Sequence, residues 1–327
     1  MILAKRLWIT PSKSFLLSTL PFASFTNCTF ILNHIPSVGS DKMSLMRNIF
    51  NNSAASPAEE TWDNLWKEGA TPWDLGGPTS LLQNELKLKL NQDQWHLESS
   101  KSFRSLVPGC GSAYDLHTIA EFHDSLLKNK TNIQSTVVGL DISITSLQRS
   151  HQVLSQLLSS SSSSNKNSDT NLENIGDGST AIQLYHGNFF TNSSEWTLQS
   201  SLTKDTVPDT TCITHENQFD FIFDYTFFCA IHPDLRSQWT QQMAQLLKPH
   251  GKLLTLIFPI FPKDSPEMLA MDGPPYPVSI EVYKKVLEPL GFVMMPGNPY
   301  ESEFTVSRRQ GKEMVCWWTK VHEQIII

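Results

Sequence analysis

Between residues 103 and 258, short continuous apolar runs alternate with longer amphipathic stretches, and this alternation limits the fold more than any other feature of the chain. Runs at 103–107, 136–142, 182–185, 219–223 and 252–258 have the length of strands. Helical spacing marks 116–127, 144–158 and 235–247. Strands that are apolar throughout and separated by helices predict a parallel sheet covered on both faces. The last two runs, 292–295 and 314–319, have no helix between them, which predicts an antiparallel pair at one edge.

The 327 residues are enough for one large domain or two small ones. Residues 1–40 lack Asp and Glu and carry Lys5, Arg6 and Lys13 among Ser, Thr, Phe and Leu. That is the composition of an organelle transit peptide; the alternative is a leader bypassed by a start at Met43 or Met46. The sequence therefore predicts a disordered leader or transit peptide over 1–57 and a single domain over 58–322. Two polar segments, at about 159–179 and 197–218, read as inserts too poor in apolar residues to order themselves. They help explain why charged residues make up only 17% of the chain, against about 25% in an ordinary soluble domain.

Composition excludes several functions. No apolar stretch reaches the roughly 18 residues of a membrane-spanning helix. A net charge of −7 offers no footprint for a phosphate backbone, so nucleic acid is not an expected partner. The five Cys, at 28, 110, 212, 229 and 316, fit neither a disulfide framework nor a zinc spacing, and no metal site is expected.

The chemistry-bearing residues fall at the carboxyl ends of the predicted strands, where ligands bind in sheets of this kind. Gly109-Cys110-Gly111 follows the first strand; it is either an ordinary turn or a place where backbone approaches a ligand. The third glycine of a dinucleotide fingerprint would fall at Tyr114, which argues against a pyrophosphate cofactor. Asp141 ends the second strand, where a carboxylate accepts hydrogen bonds from ribose hydroxyls or caps a helix, although Ser143 also suits the cap. Asn188 and Phe189 follow the third strand and suit an adenine ring, or a plain loop. Asp224-Tyr225 ends the fourth. Trp62, Trp66 and Trp73 are core residues or a lid over a cationic ligand, since aromatic faces attract cations.

In their order, Trp62, Trp66, Thr71-Pro72-Trp73-Asp74, Val107-Pro108-Gly109-Cys110-Gly111, Val138-Gly139-Leu140-Asp141, Phe219-Asp220 through Asp224-Tyr225, and Gly273-Pro274-Pro275-Tyr276 resemble the thiopurine S-methyltransferase superfamily. Within it the likeness is greatest to plant and fungal thiol/halide methyltransferases. The resemblance implies a Rossmann-like class I methyltransferase dependent on S-adenosylmethionine (SAM). Its α/β sheet would have seven mostly parallel strands with an antiparallel edge strand and helices on both faces. It also implies that Trp62, Trp66 and Trp73 close over SAM, that Gly109 and Gly111 line its methionine portion, and that Asp141 holds the ribose. Asn188 and Phe189 would flank the adenine. Tyr225, which would also bind SAM near its sulfonium, and Trp73 would be the catalytic pair, positioning the reacting atoms. Asn188 and His232 depart from the pattern, standing where the family often carries an acid.

The expected reaction is in-line methyl transfer from SAM to a small soft nucleophile: a thiol, hydrosulfide or halide. Such acceptors need no dedicated general base, because a thiol near pKa 8.5 is already partly ionised at neutral pH. Catalysis would come from alignment and exclusion of water. Aromatic thiols or thiopurines, selenium or tellurium species, a nicotinamide-dependent oxidoreductase and a non-catalytic SAM-binding protein are the competing readings. The chain is expected to act as a monomer on a small-molecule acceptor. Its expected location is the cytoplasm, or the mitochondrion if the leader is a transit peptide.

Overall fold

A computed structural model describes residues 38–53, 56–90, 95, 97, 101–130, 132–163, 180–202, 214–269 and 273–321. The frame is a single twisted sheet. Strands β1 (Ser102–Pro108), β2 (Gln134–Asp141), β3 (Ala181–His186), β4 (Thr197–Leu202), β5 (Phe219–Asp224), β6 (Leu247–Ile257), β7 (Phe292–Met294) and β8 (Met314–Lys320) lie in the order β4-β3-β2-β1-β5-β6-β8-β7. Pairs β1–β2, β1–β5, β2–β3 and β5–β6 are parallel. Strand order reverses at β1, so β1, β2 and β5 end beside the crevice where such sheets bind ligands.

Alternate side chains of each central strand enter two separate cores. Phe221, Phe223, Leu254, Leu256 and Trp317 pack on one face, beneath α3 (Ser80–Leu90), α4 (Tyr114–Leu127) and α5 (Ile144–Ser163). Ile222, Leu253, Cys316 and Trp318 pack on the other, beneath the helices Arg236–Leu246 and Ile280–Leu287. This burial on both faces is why the strand sequences are apolar without interruption.

Two differences from the sequence expectation have physical causes. The expected seven strands become eight among the described residues, because the start of the polar segment at 197–218 pairs antiparallel with β3 as β4. An edge strand needs backbone partners on one side only, so a polar sequence suffices there. Residues 203–213 and 164–179 lie outside the described residues; α5 itself runs to Ser163. The antiparallel pair of residues 292–295 and 314–319 stands at one edge of the sheet as expected, with β7 outermost and β8 between it and β6. Finally, helix α1 (Val38–Asn52) falls within the span read as leader, and its Met46 is 2% exposed. Met46 packs with Leu65 and Ala70, an apolar contact that composition alone does not reveal. Residues 1–37, which hold most of the transit-peptide reading, lie outside the described residues.

Candidate active site

A cavity of about 670 Å³ opens at the carboxyl ends of β1, β2 and β5. Trp62, Trp66, Trp73, Gly109, Gly111, Asp141, Asn188, Phe189 and Tyr225 all line it, although they come from segments far apart in the chain.

The aromatic wall begins on α2 (Ala58–Lys67), whose helical spacing puts Trp62 and Trp66 on one face. Trp73 follows in the next loop and meets both edge-on, with ring centroids 5.4 Å from Trp62 and 6.0 Å from Trp66. Phe50 of α1 packs edge-on against Trp62 at 5.1 Å.

Three carboxylates tie this wall and the loop after it to the turns and helices that follow β1 and β2. Asp63 accepts from the Thr145 amide at 2.9 Å and the Ser143 hydroxyl at 2.7 Å, which ties α2 to the start of α5. Burial works against the charged Asp63, but bonds from Lys67, Thr145 and Ser143 outweigh it and hold the carboxyl well below the usual range. Asp74 accepts from the Ser112 hydroxyl at 2.8 Å, directly after the Gly109–Gly111 turn. Asp115 accepts from the amide and hydroxyl of Thr79, both at 2.8 Å, and burial pushes its carboxyl up to about 6.

The turn after β1 needs its glycines. Gly109 has φ +61°, and a Cβ there would stand 2.6 Å from the Phe227 ring. At Gly111, a Cβ would press on Trp66 at 3.2 Å. Asp141 braces the turn: it accepts the Gly111 amide at 2.9 Å and, through its other oxygen, the Ser143 amide at 2.9 Å. Its carboxylate is buried at the cavity wall, and burial raises its pKa. Each carboxylate oxygen has a second lone pair available for another donor. The helix cap falls to Ser143, whose hydroxyl accepts the Ser146 amide at 3.0 Å.

Asn188 uses its side-chain oxygen locally, on the Phe190 amide at 2.9 Å, which reduces its capacity to receive a ligand amine. Phe189 is 3% exposed and packs edge-on against Phe227 at 5.2 Å. Phe190 also lines the cavity, so this end is chiefly aromatic.

At the end of β5, the buried Asp224 accepts the amides of Phe227 and Phe228, both at 3.1 Å, and the Trp239 indole at 2.9 Å. It thereby caps α6 (Phe227–Ala230) and fixes the intervening turn. Thr226 in that turn has φ +66°, a strained conformation for a β-branched residue, and strain of this kind gathers at functional sites. The neighbouring Tyr225 is a neutral phenol, with burial pushing its pKa up to about 12. Cys229, also at the cavity, is held as the thiol, its pKa pushed up to about 12 by burial.

The main residue missing from the sequence reading is Arg309. Its guanidinium is buried at the cavity wall and donates to the Tyr225 hydroxyl at 2.9 Å. It also lies over the Phe258 ring, 4.3 Å from the centroid. The adjacent Arg308 donates to the Pro72 carbonyl at 3.1 Å, linking this loop to the one that carries Trp73. No local pattern marks Arg309 in the sequence: it sits in an irregular segment between β7 and β8. Pro274, Pro275, Tyr276 and His232 also border the cavity; the His232 side chain is 58% exposed.

The cavity fits SAM. Its size is within the range of about 300–1,000 Å³ usual for small-molecule sites. It offers an aromatic wall for a cation, a glycine turn with no room for side chains, a carboxylate and an aromatic end. An open α/β sheet with this reversal point and this site defines a class I SAM-dependent methyltransferase.

The chain matches the family model for thiopurine S-methyltransferase over residues 57–202 and 209–321, and it belongs to that family. It is 34% identical over 277 residues to a probable thiol methyltransferase 2 of Arabidopsis thaliana, covering 84% of this chain and 91% of that one. With a thiocyanate methyltransferase 1 of Brassica oleracea it shares 32% identity over 271 residues, covering 81% and 86%. Among solved structures, it is similar in fold to a SAM-dependent methyltransferase from Methanosarcina mazei, at 15% identity and TM-score 0.44, covering 70% of this chain and 97% of that one.

Proposed function

We propose that this SAM-dependent methyltransferase acts on a small soft nucleophile of the thiol or thiocyanate type, and that the acceptor is received beside Tyr225 and Arg309. The observation that carries this reading is the buried Arg309 guanidinium, bonded to Tyr225 in the same cavity as the three tryptophans. A fixed positive charge beside neutral hydrogen-bonding and aromatic groups suits an anion with a polarizable reacting atom. The names of the relatives, which speak of thiols and thiocyanate, agree with that chemistry.

When bound, SAM supplies an electrophilic methyl group on a positively charged sulfur. The faces of Trp62, Trp66 and Trp73 would hold that charge, each such contact contributing about 0.5–2 kcal/mol. Gly109 and Gly111 would line the methionine portion, Asp141 would take the ribose hydroxyls, and Asn188 and Phe189 would flank the base. Tyr225 and Trp73 orient the reacting groups, and the lid formed by α1 and α2 excludes water. Much of the acceleration then comes from alignment. Cation–aromatic attraction weakens as the sulfur loses its charge, so it serves binding more than rate. Because the Tyr225 phenol and the Cys229 thiol keep their protons at neutral pH, neither the site's own hydroxyl nor its own thiol competes as a methyl acceptor.

The test is headspace chromatography after incubation with SAM and, separately, thiocyanate, hydrosulfide, iodide and a small organic thiol. Methylated product from at least one acceptor is expected. No product from any of them would overturn the reading.

A further inference from the structure

Arg309 is not fully matched by its counter-ion. Glu313 is its nearest acid, with Oε2 at 3.6 Å from Nη1 and side-chain exposures of 5% for Arg309 and 3% for Glu313. That distance is an ion pair without a hydrogen bond, and Oε2 is buried with no hydrogen-bond partner. The same Nη1 donates to Tyr225 instead. The two charges also face different spaces. Arg309 borders the large cavity, Glu313 borders a second one of about 280 Å³, and Tyr225 borders both.

A guanidinium cannot shed its proton, so once buried it needs negative charge nearby. Two sources are available: Glu313 from the side of the small cavity, or an anionic acceptor from the large one. We propose that Glu313 is a specificity-determining residue, whose carboxylate competes with anionic acceptors for Arg309 and thereby limits the site's preference for permanent anions such as thiocyanate over organic thiols. The proposal rests on the reading that the acceptor sits beside Tyr225 and Arg309. With Glu313 ionised, its charge offsets part of the attraction that Arg309 exerts on an arriving anion. With that charge removed, the cation is uncompensated and draws anions more strongly. Fork-like pairing would have committed Arg309 to its partner; the long, unbonded contact leaves it available.

The test is calorimetric titration of thiocyanate into protein saturated with S-adenosylhomocysteine, for wild type, Glu313→Gln and Arg309→Gln. Glu313→Gln is expected to bind thiocyanate about tenfold more tightly, the scale of one close charge at a partly buried site. The kcat/KM ratio of thiocyanate to 2-mercaptoethanol should rise with it. Glu313→Met, which removes the charge and leaves no polar atom to satisfy, gives the same test if the amide variant does not fold. Arg309→Gln is expected to weaken thiocyanate binding at least tenfold. Unchanged or weaker binding in the Glu313 variants, with binding lost in Arg309→Gln, overturns the role of Glu313 alone. Wild-type binding in Arg309→Gln overturns the acceptor-site reading beneath it.

Discussion

Arg309 donates to the hydroxyl of Tyr225 at 2.9 Å, joining two residues 84 positions apart at one wall of the cavity. Tyr225→Phe keeps the ring and leaves a buried Arg309 donor without its acceptor. Losing a hydrogen bond to a charged group is worth about 1.5–3 kcal/mol, so kcat/KM for the acceptor is expected to fall at least tenfold. SAM affinity should change less than twofold. Steady-state kinetics and calorimetry separate the two effects, and an unchanged kcat/KM would show that Tyr225 does not position the acceptor.

Trp73 stands where two other tryptophans converge, edge-on to both. Trp73→Ala opens the lid and removes an aromatic face. At about 1–2 kcal/mol for such a contact, SAM should bind roughly tenfold more weakly. S-adenosylhomocysteine, which lacks the positive sulfur, should lose less. Equal losses for the two ligands would mean that Trp73 acts by packing alone.

Asp63 offers a test that does not depend on activity. Its carboxylate bonds the Thr145 amide and the Ser143 hydroxyl and pairs with Lys67. Asp63→Ala should destabilise the fold by about 1 kcal/mol, the typical worth of a helix cap. Because its folded pKa lies below the unfolded 3.8, this stability is present above pH 4 and is lost as the pH falls further. The melting temperatures of variant and wild type should therefore differ by a constant amount at pH 5–7 and begin to converge only below pH 4. A gap independent of pH would rule out an ionic role.

His123 is fully buried between the Ser105 and Ser135 hydroxyls, and burial lowers its pKa to about 3. Below the unfolded value of 6.5, the unfolded chain takes up a proton that the native fold refuses. Stability is thus lost as the pH falls from 6.5 toward 3, by about 1.4 kcal/mol per unit for this group. Asp115 and Asp224 act in the opposite sense between pH 6 and 4, since burial raises both to about 6. Urea midpoints of wild type and His123→Gln across that range isolate the histidine. The variant should lose less stability on acidification, and parallel curves would contradict the assignment.

Much of the sheet is legible because strands buried on both faces must be apolar throughout, and Phe219 to Phe223 show it plainly. The nine candidate site residues are legible because each follows a strand or stands in an aromatic cluster. What escapes has a nonlocal cause. Strand β4 is polar because an edge tolerates it. Helix α1 is identified only by where Met46 packs. Arg309 reaches Tyr225 through the sheet's reversal and an irregular loop, and no spacing along the chain encodes that approach. Asp63 lies in plain sight between Trp62 and Trp66, but its partners Ser143 and Thr145 lie some 80 residues away.

Methyl transfer itself can be followed with SAM carrying a trideuterated methyl group. Incubated with the wild-type chain and thiocyanate, hydrosulfide or a small thiol, it should yield a volatile product three mass units heavier than the unlabelled one, at a rate that falls in Tyr225→Phe. Absence of a labelled product with every acceptor, in protein shown to bind SAM, would contradict the claim that this cavity transfers methyl groups to soft nucleophiles.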